Sequence, residues 1–321
     1  MSLQFLADGL IAGATIGLGA VGITLTYSIL RFANFAQGEF ITWGCYLTWL
    51  LAAAAGAWIP ASADALGPLS VGINVIAAGV AAMLLTGVLA VALDAVLFGP
   101  LRWRAAAASG GAGGAGAPGA AASGASISAV IASFGAAMTL RALIEALVPA
   151  RQAYLSTELQ IAIPLIGGVR VTPDQMLLLA LAVVLAAALQ LMLTRTSVGR
   201  SMRAVSENPE LARVGGIDVT QVIRLTWFIG AALASAAGVM LGLVVQIRPS
   251  MGAELLLPLF AAAILGGVGS VPGALIGGLV VGIAEAAAVQ MAGAQWRAAV
   301  AFLVVIAVLL VRPAGLFGRA A

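Results

Sequence analysis

The sequence predicts an all-α, polytopic integral membrane protein of about eight to nine transmembrane helices, with a discontinuous helix near the C-terminal third. Three observations carry that prediction. Of 321 residues, 62% are hydrophobic and 8% charged, and mean hydropathy is +1.13, a balance that no soluble domain shows. The apolar runs are long and continuous, without the alternation of a membrane barrel, and helices satisfy their backbone in lipid where open sheet edges do not. At ~20 residues per span, the chain holds about eight to ten spans with short loops, as one transmembrane domain over residues 1–321.

The absences bound function as firmly. There is no His, and all fifteen basic residues are Arg. Without Lys there is no P-loop lysine, so the chain is not its own conventional ATPase. Without His there is no Ser–His dyad, His-based metal centre or imidazole relay. A single Cys45 excludes an intramolecular disulfide and a cysteine cluster. The chain is therefore not expected to be an enzyme or to bind a metal or cofactor. The first 30 residues hold no Lys or Arg, so they lack the basic start of a signal peptide and read as a retained span.

Taken in order, residues 5–29 form the first span, with Gly9, Gly13 and Gly17 on one face as a ribbon for close helix packing. Arg31 to Phe40 interrupts the apolar pattern. Asn34, Gln37, Gly38 and Glu39 within it face a cavity or partner, or else a surface turn at the membrane boundary. A second span covers about 41–57. Residues 58–70, with Pro60, Asp64, Gly67 and Pro68, form a loop. A third span covers about 71–97, with Asp94 near enough to its end to snorkel or cap. Residues 105–125, almost pure Ala, Gly and Ser, read as a flexible linker.

The fourth span, 126–148, carries Arg141 and Glu145 at i,i+4, a spacing that lets them pair on one face. Residues 149–173 make a loop with a short hairpin-like part over 159–171. The fifth span is 175–193 and the sixth about 222–247, with Gly238 and Gly242 as a second close-packing pair. Residues 248–254 are a further loop. The apolar segment 255–265 is short for a crossing and ends at Gly266, Gly267, Gly269 and Ser270. Two readings fit it: a discontinuous helix at a midplane path, or a tight turn whose glycines serve helix packing. A longer helix continues to Met291 with Glu285 inside it, either bonded to a neighbouring helix or lining a path. The last span is 296–311.

Nine spans place Arg31, Arg102, Arg104, Arg195, Arg200, Arg203, Arg213, Arg224, Arg312 and Arg319 on one side. Arg151, Arg170, Arg248 and Arg297 fall on the other, with Arg141 inside a span. The positive-inside rule then puts the N-terminus outside and the C-terminus in the cytoplasm. The polar breaks at 33–39 and 266–273 suggest two related halves, as in transporters with inverted repeats.

The long polar stretch 195–221 stands out from this background. Asn208 can cap a short helix, Pro209 suits its first position, and Glu210 and Arg213 match its dipole. Gly215 or Gly216 can end it in a left-handed conformation. An ordinary cytoplasmic loop is the plain reading. The run Arg203-Ala-Val-Ser-Glu-Asn-Pro-Glu-Leu-Ala-Arg-Val-Gly-Gly-Ile217, however, closely resembles the coupling loop of LivH-type permeases, membrane subunits of ABC importers for branched-chain amino acids. In that family the loop, related to the EAA loop, docks on the ATPase. Asn34–Glu39 resembles the family's NFAHGE signature, with Gln37 where many members carry His. Gly266–Gly278 resembles its GGxGSxxGAxxGG block, though Pro258 stands where the family commonly has Lys. The resemblance runs from about Gly9 to Phe317 apart from 105–125.

That resemblance implies one ABC-importer permease domain in a bacterial inner membrane. It implies a LivM-type permease partner, two cytoplasmic ABC ATPases that hydrolyse the ATP, an external binding protein, lipid around the spans and no nucleic acid. It assigns ATPase coupling to Arg203, Glu207, Asn208, Pro209, Glu210, Ala212, Arg213, Gly215 and Gly216. Urea or short-amide permeases of the same family fit equally. An ion-coupled secondary transporter, of a different class, needs paired mid-membrane carboxylates, for which Glu285 alone is a candidate. An intramembrane protease is opposed by the missing His.

Overall fold

The computed structural model describes residues 4–58, 67, 69–110, 118–148, 153–155, 162–164, 168–312 and 315–318. Its helices follow the apolar runs: α1 Gln4–Leu30, α2 Gln37–Trp58 and α3 Ile73–Leu93. A turn of π-helix, Asp94–Phe98, carries α3 into α4, Gly99–Gly110. After α5 (Pro118–Leu147) come α6 (Pro173–Arg195), α7 (Ser197–Glu207) and α8 (Pro209–Val214). The remainder is α9 (Val219–Val244), α10 (Met251–Gly266), α11 (Val271–Ala292) and α12 (Arg297–Val311). Among the described residues, seven helices are long and apolar enough to cross a membrane, and Met251–Gly266 and Ala294–Leu310 are shorter apolar helices.

Helix ends are set by local chemistry. Thr172 and Gln175 form a reciprocal capping box ahead of α6, with Pro173 in its first turn, which satisfies two otherwise orphaned donors. Asp218 caps α9 by accepting from Thr220 and Gln221 amides at 2.9 and 3.1 Å. The hairpin expected within 159–171 is a two-residue pair, Ile163–Pro164 against Arg170–Val171.

The stretch expected as a linker is narrower than its composition suggests. Helical backbone reaches Gly110 and resumes at Pro118, because alanine is the strongest helix former and outweighs its interspersed glycines; residues 111–117 lie outside the described ones. Of the loop after α2, Pro60, Asp64 and Pro68 lie outside them too, as do Arg151 and Arg319. Asp94 holds the C-cap position of α3, its amide donating to the Ala90 and Val91 carbonyls, but its side chain does not snorkel. It is buried, and its carboxylate takes both terminal nitrogens of Arg102 at 2.7 and 2.8 Å. Arg141 and Glu145 do pair, at 3.1 Å.

α1 is the most enclosed span, and its glycines show why. A Cβ on Gly13 would lie 2.7 Å from the Leu279 Cα, and one on Gly9 2.7 Å from the Ile283 Cα. The opposing face of α11 is equally bare: a Cβ on Gly278 would meet the Gly17 Cα at 2.2 Å. The two antiparallel helices thus touch backbone to backbone, the small-residue packing that lipid-embedded helices use in place of a hydrophobic driving force. Gly238 of α9 meets the Ile41 backbone of α2 in the same way, while Gly242 makes room for the Cys45 thiol.

Candidate functional site

The first polar break descends into the bundle. α1 ends at Leu30, yet Gln37 lies beside Gly22, about two turns back along α1. Its side-chain amide donates to the Gly230 carbonyl at 3.0 Å. α2 therefore starts inside the protein and not at its surface, and Gln37, Gly38 and Glu39 form its first turn. Asn34 turns the chain by accepting from the Ala36 amide at 3.1 Å, and Ser133 of α5 receives the Phe35 amide at 3.2 Å.

A second break answers it. The loop expected over 248–254 is shorter: α10 begins at Met251, and Val245–Ser250 re-enters the protein, with the Ile247 amide donating to Ala153 at 3.0 Å. Gly252 then meets Gly38. A Cβ on Gly252 would lie 2.0 Å from the Gly38 carbonyl oxygen, and one on Gly38 2.5 Å from that of Gly252. The Gly252 amide donates to Thr42 Oγ1 at 3.1 Å. Two helix starts, each with glycine as its second residue, thus cross inside the bundle. The break that meets 31–36 inside the bundle is accordingly 245–250, while 266–273 lies at one end of it.

Around this crossing sit buried polar groups that the protein leaves open. Asn34 Nδ2, Gln37 Oε1 and Glu39 Oε2 have no hydrogen-bond partner among the described residues, and neither does Ser235 Oγ of α9. Leaving a buried polar group without any partner costs about 1–3 kcal/mol, so these atoms favour a water or polar solute beside them. Glu39 also lies in the field of Arg141 and Glu145 on α5.

The other candidates lie at the two ends of the bundle. Gly266–Ser270 is the turn of a helical hairpin, in which Gly273 and Gly277 of α11 fold back against Gly266 and Ala262 of α10. Of the two readings left open by the sequence, the tight turn is the one formed. Gly267 and Gly269 take φ of 92° and 91°, accessible to glycine without strain, and Ser270 caps α11 through the Gly273 amide at 3.1 Å. The chain end packs here as well, Leu316 and Phe317 amides donating to Leu265 and Gly266 at 2.8 and 3.1 Å. Pro258 is buried within α10. At the opposite end Glu285 is buried and pairs with Arg297 of α12 at 3.4 Å, so it bonds to a neighbouring helix.

The polar stretch forms two helices with one hinge. Asn208 closes α7 with its amide and opens α8 with its side chain, accepting from Glu210 and Leu211 amides at 3.0 Å each. Gly216, with φ of 83°, ends α8 in the left-handed conformation, while Gly215 keeps a negative φ. Ala212 is buried against the body, whereas Glu207, Glu210 and Arg213 are exposed. Arg203 donates to the Leu193 carbonyl and Arg31 to that of Ser206, so α7 is tied to the ends of α6 and α1.

Two residues of this element escaped sequence reasoning. Leu211 and Val214 are 68% and 86% exposed. They are three apart, hence neighbours on one face of α8, and stand out from the polar surface around them. Their i,i+3 spacing in a charged loop was the available signal.

A nearly all-helical bundle with internal helix starts, unpaired polar groups at their crossing and a polar helix pair at one end has the form of a membrane permease. Residues 5–309 match the family model described as branched-chain amino acid transport system / permease component. The chain is 32% identical over 318 residues to the high-affinity branched-chain amino acid transport system permease protein BraD of Pseudomonas aeruginosa, covering 99% of this chain and 96% of that one. It is 30% identical to LivH of Escherichia coli K12, with the same coverage. A LivH protein of Methanocaldococcus jannaschii is 36% identical over 137 residues, 40% of this chain and 44% of that one. The chain belongs to the family of branched-chain amino acid transport permeases.

Proposed function

We propose that this permease carries branched-chain or related small amino acids into the cell, paired with a LivM-type permease, driven by two cytoplasmic ABC ATPases and fed by an external binding protein. The α7–α8 element is the ATPase-coupling site, and ATP is bound and hydrolysed by the partner subunits alone. The arginine-rich end, with Arg31, α7, α8 and the chain's C-terminal segment, faces the cytoplasm, and the N-terminus lies outside. Movement of α7 reaches the α1–α2 connection through Arg31, and α2 and α10 shift at the Gly38–Gly252 crossing to open and close the path past Gln37 and Glu39.

The observation that carries this reading is the exposed Leu211–Val214 pair on a capped helix outside the lipid-spanning segments. Apolar side chains held in that position suit a groove on a soluble partner. Replacing both with Asp removes about 1.5–3 kcal/mol of burial per side chain. The tagged L211D/V214D chain should therefore insert at the level of the unaltered one but recover at least tenfold less ATPase from mild-detergent membranes. A variant that still brings down its ATPase and supports leucine uptake refutes the coupling assignment.

A further inference from the structure

A cleft of about 470 Å³ opens at the arginine-rich end, between α1, α7 and the α10–α11 turn. Its polar lining is Thr24, Tyr27, Ser28, Arg31, Arg203 and Ser206, with the Thr24 hydroxyl already donating to Val21 at 2.9 Å, and no acidic residue lines it among the described residues. Neither arginine has a carboxylate within ion-pair distance among the described residues. Each spends one donor on a main-chain carbonyl, Arg31 on Ser206 and Arg203 on Leu193. A guanidinium carries five N–H donors in a rigid fork, so both are positioned and both keep donors for an anion. The Ser28 and Ser206 hydroxyls are committed to carbonyls of their own helices, at 2.9 and 2.8 Å.

The backbone adds an independent observation. Arg31 has φ of 58° and is the one non-glycine residue with positive φ among those described. It sits just past the end of α1, its amide donating to the Tyr27 carbonyl at 2.9 Å, the left-handed position that glycine normally fills. An arginine held there places its guanidinium on α7 and in the cleft, which glycine cannot do.

The level of the cleft identifies what fills it. It lies where α1 and α6 end, at Ile29 and Leu193, so its mouth is at the boundary between hydrocarbon and water. Its other walls are apolar, Leu25, Ile29 and Met202 among them. We infer that this cleft binds the phosphate of an anionic phospholipid between Arg31 and Arg203. The bound headgroup fixes α7 to α1. Its effect on ATP-driven transport rests on the coupling role proposed for α7; the binding itself does not.

The test uses the assembled importer purified in mild detergent, incubated with dioleoyl-phosphatidylglycerol, dioleoyl-phosphatidylcholine or inorganic phosphate and followed by native mass spectrometry. The unaltered complex should retain phosphatidylglycerol over phosphatidylcholine, and millimolar phosphate should not displace it. Each arginine at an anionic membrane surface contributes a factor of about five, so R31Q/R203Q should lower retention about thirtyfold. R31K/R203K, which keeps both charges, should recover most of it, separating lipid binding from a folding defect. Equal retention by the R31Q/R203Q complex overturns the site, and displacement by inorganic phosphate alone overturns the lipid as its occupant. In proteoliposomes, added phosphatidylglycerol should raise ATP-driven uptake severalfold for the unaltered importer and not for R31Q/R203Q. Lipid retention that follows the arginines while uptake ignores the lipid supports the site and refutes the coupling role of α7.

Discussion

Placing one methyl group on Gly278 tests the backbone seam between α1 and α11. The Cβ of a Gly278→Ala variant would lie 2.2 Å from the Gly17 Cα, 2.3 Å from its amide nitrogen and 2.8 Å from the Gly13 carbonyl oxygen. All three are main-chain atoms, so no side chain can rotate away, and a normal contact needs the helices to part by about 1 Å. A gap of that size forfeits about a quarter to a half of each dispersion contact it touches. Overpacking of this kind costs about 1–3 kcal/mol. At about 2–4 °C per kcal/mol for a large domain, the melting midpoint should fall by several degrees. Gly135→Ala is the control, because it faces open space on α5 and should be neutral or raise stability through helix propensity. Fluorescence-detected size exclusion after heating, on fluorescent-protein fusions in one detergent, compares the two. A Gly278→Ala midpoint equal to that of Gly135→Ala would falsify backbone contact as the basis of the seam.

Three further outcomes are expected. Arg102→Ala strands the buried Asp94 carboxylate and should cost about 2–4 kcal/mol, while Asp94→Asn with Arg102→Gln should recover most of it; the same thermal assay reads both, and a harmless Arg102→Ala would mean that Asp94 is hydrated. Asn208→Ala removes two accepted bonds at the hinge, at about 1 kcal/mol of local stability. Leucine uptake should fall with little change in melting midpoint, and unaltered uptake would show that the hinge is not used in coupling. Ala212→Pro deletes the amide that donates to Asn208 at 3.0 Å and should uncouple transport from ATP hydrolysis without affecting insertion, as should joint replacement of Glu207 and Arg213. Uptake and ATPase rates measured together in proteoliposomes would show otherwise if their ratio stayed constant.

What the sequence revealed was local or periodic. Asn208-Pro209-Glu210 is legible because capping is decided within four residues, and the Gly9, Gly13, Gly17 ribbon because its spacing matches a helix face. The apolar runs followed from hydropathy alone. The Gly38–Gly252 crossing was hidden because the two glycines are remote in the chain and each looks like an ordinary loop residue. The Asp94–Arg102 pair was hidden because an α-helix carries residue i+8 about 12 Å along its axis, whereas the π turn and a long arginine side chain bring Arg102 back to it. At 266–270 the composition could not separate a midplane break from a hairpin turn, since both need glycine; only the fold-back of α11 on α10 separates them.

The enclosure of α1 has a consequence for how the protein is made. This helix leaves the ribosome well before α11, which covers its glycine face and follows some 240 residues later. At about 5–20 residues per second, the interval is roughly 12–50 s. During that time a helix made for close backbone contact lies in lipid with its narrow face uncovered. Biogenesis of this permease therefore requires that the insertion machinery, or an intervening span, shelter α1 until α11 arrives.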